Sequence, residues 1–359
     1  MKSHQEAVIF IPGLTAEEKD MYLNLLGTGL TEYLETIKVK EIGEAKIAGN
    51  SGKKFEVYLD KENKKNIDIY EVYWQDLFNK KLSTEELKER LVRGTNLLFY
   101  WFFGKTWLSI TEAPFLFIGL GITLALFISW YFGILVMAFT AIGEKPDFFG
   151  FNINDIYPGL AENLGKIGKN VGGWNVWLTI SALLTFIPIN KAIDIADFTR
   201  RYLEENSEGT NLRAKIRQRV LAVLKDILET KEVEYEKITI LAHSFGVVVG
   251  TDVLADYHEI KPIRYITLGS PLKVFSYQSK WIEKEIEKCL NNDKVESWTD
   301  CYSDQDWLCT KTPLPKGYSS SKIKFYKNQL KFSLLKQITG KSHDYYFSNE
   351  EVLKEILNL

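Results

Sequence analysis

Between Glu112 and Glu144 the chain carries no charged side chain. No other feature constrains its fold as strongly as this run, APFLFIGLGITLALFISWYFGILVMAFTAIG at 113–143. At a helical rise of about 1.5 Å per residue it would reach roughly 45 Å, more than the ~30 Å hydrocarbon core of a bilayer. A helix buried in a water-soluble domain ordinarily keeps a polar stripe, whereas only scattered Ser and Thr interrupt this one. The expectation is a membrane span near 113–143; the alternative is a buried or lid helix. A second uncharged stretch, 170–190, is just long enough to span, although Gly172, Gly173, Asn175 and Pro188 weaken it. The loop between the two carries Glu144, Lys145, Asp147, Asp155, Glu162, Lys166 and Lys169. Upstream, NLLFYWFFGKTWLSIT at 96–111 places Tyr100, Trp101 and Trp107 around Lys105, a composition suited to the headgroup region. It is read as interfacial or re-entrant.

The flanks of this block have the pattern of one discontinuous domain, 1–95 and 192–359, interrupted by an insertion at 96–191. AVIFI at 7–11, ended by Pro12-Gly13, is a short apolar run of the kind found in buried strands. Thr15 is placed to cap a helix over the following residues, with acids in its first turn. Residues 35–66 are charge-rich, with FEVYL at 55–59 as a short strand, and IDIYEVYW at 67–74 is dense in β-branched and aromatic residues. After the block, KAIDIADFTRRYL reads as helix. RAKIRQRVLAVLKDIL sets Ile216, Val220, Val223, Leu224 and Ile227 on one helical face. Strands at 237–242, 265–268 and 295–298 then alternate with helices from about Val247 and near 278–290, and a last helix begins near Asn349. This alternation predicts a mostly parallel sheet covered on both faces.

Lys and Arg total 45 against 47 Asp and Glu, a net charge of −2. The balance gives no basic excess for nucleic-acid binding. Cys289, Cys301 and Cys309 show no Cys-x-x-Cys spacing, so they are read as free thiols of a reducing compartment; a Cys301–Cys309 bridge is the alternative. The N-terminal apolar run is too short for a signal peptide, and the mature chain is expected to begin close to Met1. No Walker A, Rossmann or HExxH pattern occurs, so neither metal nor nucleotide cofactor is expected.

The sharpest local pattern is LAHSFGVVVG at 241–250. A strand, a serine at a tight turn, Gly246 two residues on, and then a helix form a nucleophile elbow. The chemistry explains the spacing. The hydroxyl must protrude above the sheet, so small residues must flank it. The following helix N-terminus favours developing negative charge. With its A-H-S-x-G elbow, the chain resembles the α/β-hydrolase fold, specifically lipase- and esterase-like members, over residues 5–90 and 192–359. The hydrophobic insertion is a departure, and so is Ala242 where the family usually has Gly.

The resemblance implies a triad in the chain order Ser, acid, His. Ser244 takes the nucleophile position. His343, in GKSHDYYFSNEEVL, resembles the family's terminal histidine loop. Of the other histidines, His258 is placed on the surface of the helix after the elbow, and the ring of His243 is expected to point away from the serine hydroxyl. The acid follows VESW, where WTDCYSDQDWLC offers Asp306, Asp304 and Asp300; Asp306-Trp307-Leu308 fits the family's loop best. The oxyanion hole would be formed by the backbone N–H groups of Phe245 and Leu14, with Gly13 giving close approach. In LGSPL at 268–272, Ser270 is read as structural.

The resemblance implies a membrane-anchored serine hydrolase acting on acyl esters of lipids or amphiphiles through an acyl-enzyme. The competing reading is a catalytically silent hydrolase-fold membrane scaffold. If the flanks share one sheet, the number of spans between them must be even. Lys88, Arg90, Arg93, Lys105, Lys191, Arg200 and Arg201 outnumber Lys145, Lys166 and Lys169. By the positive-inside rule, the hydrolase domain is expected in the cytoplasm and the 144–169 loop outside.

Overall fold

A strand must be apolar wherever it is covered on both faces, and the central strand of the sheet is so over its last five residues. In β1 (His4–Ile11), Ala7, Ile9 and Ile11 enter one core and Val8 and Phe10 the other, as the two-residue period of a strand requires. The structure, a computed structural model, describes residues 4–14, 19–60, 63–79, 92–94, 96–97, 100–101, 105, 108, 114–148, 150–171, 189–205, 211–306, 310–318, 321–329, 332–333 and 341–359.

The chain divides into two compact units, Met1–Phe117 with Asp194–Leu359, and Ile118–Ile193. The sequence had placed these divisions at 95 and 192. In the first unit, β2 (Lys38–Ile47), β3 (Asn50–Tyr58), β4 (Lys64–Glu71), β7 (Lys237–His243), β8 (Ile263–Leu268), β9 (Val295–Tyr302) and β10 (Ile323–Lys327) join β1 in an eight-stranded sheet. Its order is β10-β9-β8-β7-β1-β4-β3-β2. From β10 to β4 all neighbours are parallel, while β3 runs antiparallel to both β4 and β2. The fold class is therefore α/β with a mostly parallel sheet flanked by helices. A short helix, α2 (Asp76–Asn79), follows β4. Helices α1 (Met21–Glu32) and α10 (Glu350–Ile356) bury residues in the core shared with Val8 and Phe10. Helices α5 (Ile189–Glu204), α6 (Leu212–Glu229), α7 (Phe245–Leu254) and α9 (Trp281–Asn291) do so on the other side. All five residues assigned from sequence to the inner face of α6 are buried there.

Several expectations need correction. VESW is only the first half of β9, which runs on to Tyr302. The helix expected near 278–290 is α9, which begins at Trp281, and a further helix before it, α8 (Leu272–Gln278), was not foreseen. His258 is exposed beyond the end of α7, not on that helix. Strands β2 and β10 were not foreseen. Cys289 and Cys301 are buried free thiols, and Cys309 lies outside the described residues.

The second unit contains most of α3 (Pro114–Glu144), a two-stranded pair β5 (Asp147–Phe148) and β6 (Phe151–Asn152), and α4 (Leu160–Asn170). The loop expected between two spans is thus itself structured. Helix α4 lies against α3, with Gly165 at Gly143 and Gly168 at Thr140. Among the described residues no helix is long and apolar enough to cross a membrane, so the inserted transmembrane hairpin is not part of the described fold. The backbone of α3 runs 31 residues, but its side chains are described without a break only from Tyr131 onward. The second expected span falls largely in 172–188, outside the described residues. Of the stretch read as interfacial, few residues are described; among them Trp101 packs against Phe275 with the rings tilted at 49° and 5.9 Å between centroids, on the core of the first unit.

One buried carboxyl carries a stability consequence. Asp20, at the start of α1, has φ 67° and makes no side-chain cap. Glu71, at the end of β4, supplies the acceptor instead: its Oε2 receives the Leu23 N–H at 3.0 Å. Burial pushes Glu71 up to about 7; Leu23 N–H opposes this, Asp20 adds to it and Lys19 opposes it. The folded chain therefore holds a proton that the unfolded chain has released above its ordinary value of 4.5. Stability from this group is present at acid pH and lost as pH rises toward 7. Glu71→Gln, whose amide oxygen still accepts from Leu23, should gain about 2–3 kcal/mol over wild type between pH 5 and pH 8. Urea melts at the two pH values measure this; an equal difference at both would refute it.

Candidate active site

The sheet changes direction of winding at β1, whose neighbours β4 and β7 lie on opposite sides. In open parallel sheets the crevice at the carboxyl ends of such strands is where ligands bind. Ser244 stands there, directly after β7 and directly before α7. Its backbone is at φ 55°, ψ −126°, which an L-residue adopts only when its surroundings hold it. The Ser244 N–H donates to Leu268 O at 2.9 Å, so the β7–β8 ladder anchors one side of the turn. Gly246 permits the other side. A Cβ there would come 2.1 Å from Ile11 O, so only glycine lets α7 start this close to β1. Gly13 likewise has no room for a side chain, since its Cβ would lie 2.7 Å from Ser244 Cβ. The turn carrying Leu14 therefore passes against the serine, as an oxyanion donor requires. Phe245 begins α7 and is buried among Trp74, Phe198, Tyr202 and Phe275.

Deeper in α7, Asp252 is fully buried and held by Arg213, at 2.6 and 2.9 Å, and by the Tyr202 hydroxyl at 2.9 Å. Losing one partner of such a network leaves an uncompensated buried charge. It ties α7 to α5 and α6, and nothing in the sequence pattern singled it out.

His343 and Asp306, 37 positions apart, meet in the fold. His343 Nδ1 lies 2.7 Å from Asp306 Oδ2 and both residues are buried. With the carboxylate accepting, Nδ1 carries the proton and Nε2 presents a lone pair. Burial pushes the imidazole pKa down, but the charge and hydrogen bond of Asp306, with Asp344 adding, leave it raised above 6.5. The other acids of the loop are elsewhere. Asp300 lies within β9, fully buried, accepting from Thr267 Oγ1 at 2.7 Å and Thr312 N–H at 2.8 Å; burial raises it to about 6. Asp304 is exposed and pairs with Lys327. Ser270 is buried, its Oγ accepting from Leu272 N–H and Thr312 Oγ1, which fits a structural role.

His343 packs against His243, the residue before the serine. The two imidazoles are 4.7 Å apart between centroids, and His243 Nε2 lies 3.1 Å from His343 O. Burial, with His343 adding, holds the pKa of His243 well below its ordinary value. The ring of His243 is therefore neutral and supports the histidine loop. A Cβ on Gly269, at the end of β8, would lie 2.9 Å from His343 Cε1, which sets the ring over the carboxyl ends of the strands. His343 Nε2 is buried with no hydrogen-bond partner among the described residues, so it does not bond Ser244 here. Catalytic hydrogen bonds are often long outside the Michaelis complex.

Sequence reasoning missed Tyr346. Its hydroxyl donates to Asp306 Oδ2 at 3.0 Å, the same oxygen that holds His343. The available signal was HDYY itself, but the spacing does not say which tyrosine turns inward. Among the described residues no group of His, Cys, Asp and Glu is placed to hold a metal ion. No family model matches the chain, and comparison with curated proteins and with solved structures gives no match either.

Proposed function

We propose that the chain is a serine hydrolase of the α/β-hydrolase type that cleaves acyl esters. The observation that carries this reading is the joint one: a strained serine at the switch point of a parallel sheet, with a buried His–Asp pair on the loops above the same strand ends. Ser244 Oγ attacks the acyl carbonyl while His343 Nε2 takes its proton. The N–H groups of Phe245 and Leu14 receive the oxyanion. Collapse of the tetrahedral intermediate passes that proton to the leaving alkoxide and leaves an acyl-serine. Water, deprotonated by the same nitrogen, then releases the acid. Asp306 keeps the imidazole in the required tautomer and stabilises its charged form. A fluorophosphonate probe should label Ser244, and p-nitrophenyl esters of increasing chain length should be turned over. A folded protein that neither labels nor hydrolyses supports the silent scaffold instead.

Attachment to the bilayer through the insertion belongs to the same proposal. It is supported by the uncharged run 113–143 and by Ile128, Phe132 and Leu135. These project from one face of α3, each between 44% and 57% exposed. A substrate that partitions into membranes follows from such an anchor. Topology is tested by Asp155→Cys and Lys225→Cys, both at exposed positions. With the catalytic unit in the cytoplasm, an impermeant maleimide should modify the first and not the second in intact cells. Cys289 cannot serve as the inner marker, because it is buried. The reverse pattern overturns the orientation; reaction at both positions or neither in intact cells, with both reacting after lysis, overturns the span.

A further inference from the structure

We infer that Tyr346 is a positioning residue for the histidine–aspartate pair: its hydroxyl, bonded to the Asp306 oxygen that holds His343, moderates the grip of that carboxylate on the imidazole. The inference rests on the proposed function only for the role of the pair; the contact itself is structural. Asp306 Oδ2 receives His343 Nδ1–H at 2.7 Å and Tyr346 O–H at 3.0 Å, and all three side chains are buried. A phenol that donates to a carboxylate takes up part of its negative charge. In a dry site that share is large, because neighbouring dipoles are not screened by water.

Tyr346 is held for this task. It lies in the short 3₁₀ helix Tyr345–Ser348, fully buried, in one core with Phe10 and Phe347. Its ring stands edge-on to His343, with centroids 6.5 Å apart at 87°, and 6.4 Å from His243. The charged and titratable groups that face His343 are few among the described residues. They are Asp306 after β9, Asp344 beside it in the chain, His243 at the end of β7, and Tyr346. From α1, Tyr22 reaches Asp344 at 3.5 Å. His243 is neutral, so Asp306 and Asp344 are the negative charges that stabilise the imidazolium, and Tyr346 draws on the nearer of them.

Tyr346→Phe keeps the ring and its packing and removes only the donor. With one donor fewer, the charge on Oδ2 acts more fully on His343, so the imidazole should hold its proton to higher pH. Titration of ¹⁵N-histidine signals in the full chain reads this without any substrate. The His343 pKa should rise by about half a unit to one unit, and the acid limb of kcat/KM for ester hydrolysis should move with it. As an independent arm, 3-fluorotyrosine at position 346, a stronger donor, should shift the His343 titration downward. A His343 titration that does not move, or moves the opposite way, overturns the inference even if turnover falls. Should Tyr346→Phe fail to fold, the fluorotyrosine shift decides alone. If the titrations shift as expected while wild-type protein hydrolyses no ester and takes no fluorophosphonate, the proposed function fails and the role of Tyr346 in the pair stands.

Discussion

Replacing Ser244 by alanine should abolish ester hydrolysis, by on the order of 10⁶ in kcat, with folding intact. The size follows from the chemistry, because without Oγ no acyl-enzyme forms and His343 has no proton to take. The stability follows from the turn. Alanine has the same Cβ as serine and so meets Gly13 in the same way. The N–H that bonds Leu268 is backbone and survives the change. The half-buried hydroxyl makes no side-chain cap to α7. Unfolding free energies from urea melts within about 0.5 kcal/mol of wild type are expected, the usual range for a substitution that breaks no buried contact. Equal turnover in wild type and Ser244→Ala would dismiss the serine as nucleophile.

Asp306→Asn should cost on the order of 10⁴ in kcat, the scale seen when a triad acid becomes an amide. The carboxylate now accepts from His343 Nδ1 at 2.7 Å. An asparagine can turn its NH₂ toward that nitrogen, which then must be unprotonated, and the proton moves to Nε2. A histidine protonated at Nε2 cannot take the serine proton. Asp304→Asn should leave kcat within about twofold, because an exposed ion pair to a surface lysine is worth little. Asp300→Asn separates the third candidate by a different signature. Its carboxylate accepts from Thr267 and Thr312 within the sheet, so stability should fall while the pH profile stays in place. If Asp304→Asn loses more activity than Asp306→Asn, the pairing seen here is not the catalytic one.

The sequence yielded the strands that are apolar on both faces and hid those that are not. AVIFI and KITILA could be little else, being covered by helices on both sides. IKFYK, in β10, pairs among the described residues with β9 alone, and its lysines are exposed, so its pattern is that of a loop. The β2 strand, KVKEIGEAKI, carries charges on both faces because it is an edge, where charge discourages further pairing. At the candidate site, chain order pointed to one serine and one histidine, Ser244 and His343. It left three acids, because order does not say which way a side chain points. Asp300, within β9, points to Thr267 of β8, Asp304 points to solvent and Asp306 inward only once β9 has run on to Tyr302. Tyr345 and Tyr346 are equivalent as letters; the first packs on Phe332 and the second turns to Asp306.

The place of β1 also dictates an order of assembly. Its two partners come from opposite sides of the insertion, β4 ending at Glu71 and β7 beginning at Lys237. A growing chain can therefore build β1 to β4 early, but β1 then offers a bare edge, apolar on both faces, for about 165 further residues. At ribosomal speeds of about 5–20 residues per second that is roughly 10–30 s. An unpaired apolar edge is a template for other chains, and pairing over such a separation is slow. The nascent protein thus has a window in which it needs shelter, and the insertion emerges within that window. The half that follows closes the edge by supplying β7, so the strand that leads into Ser244 is also the one that completes the N-terminal half.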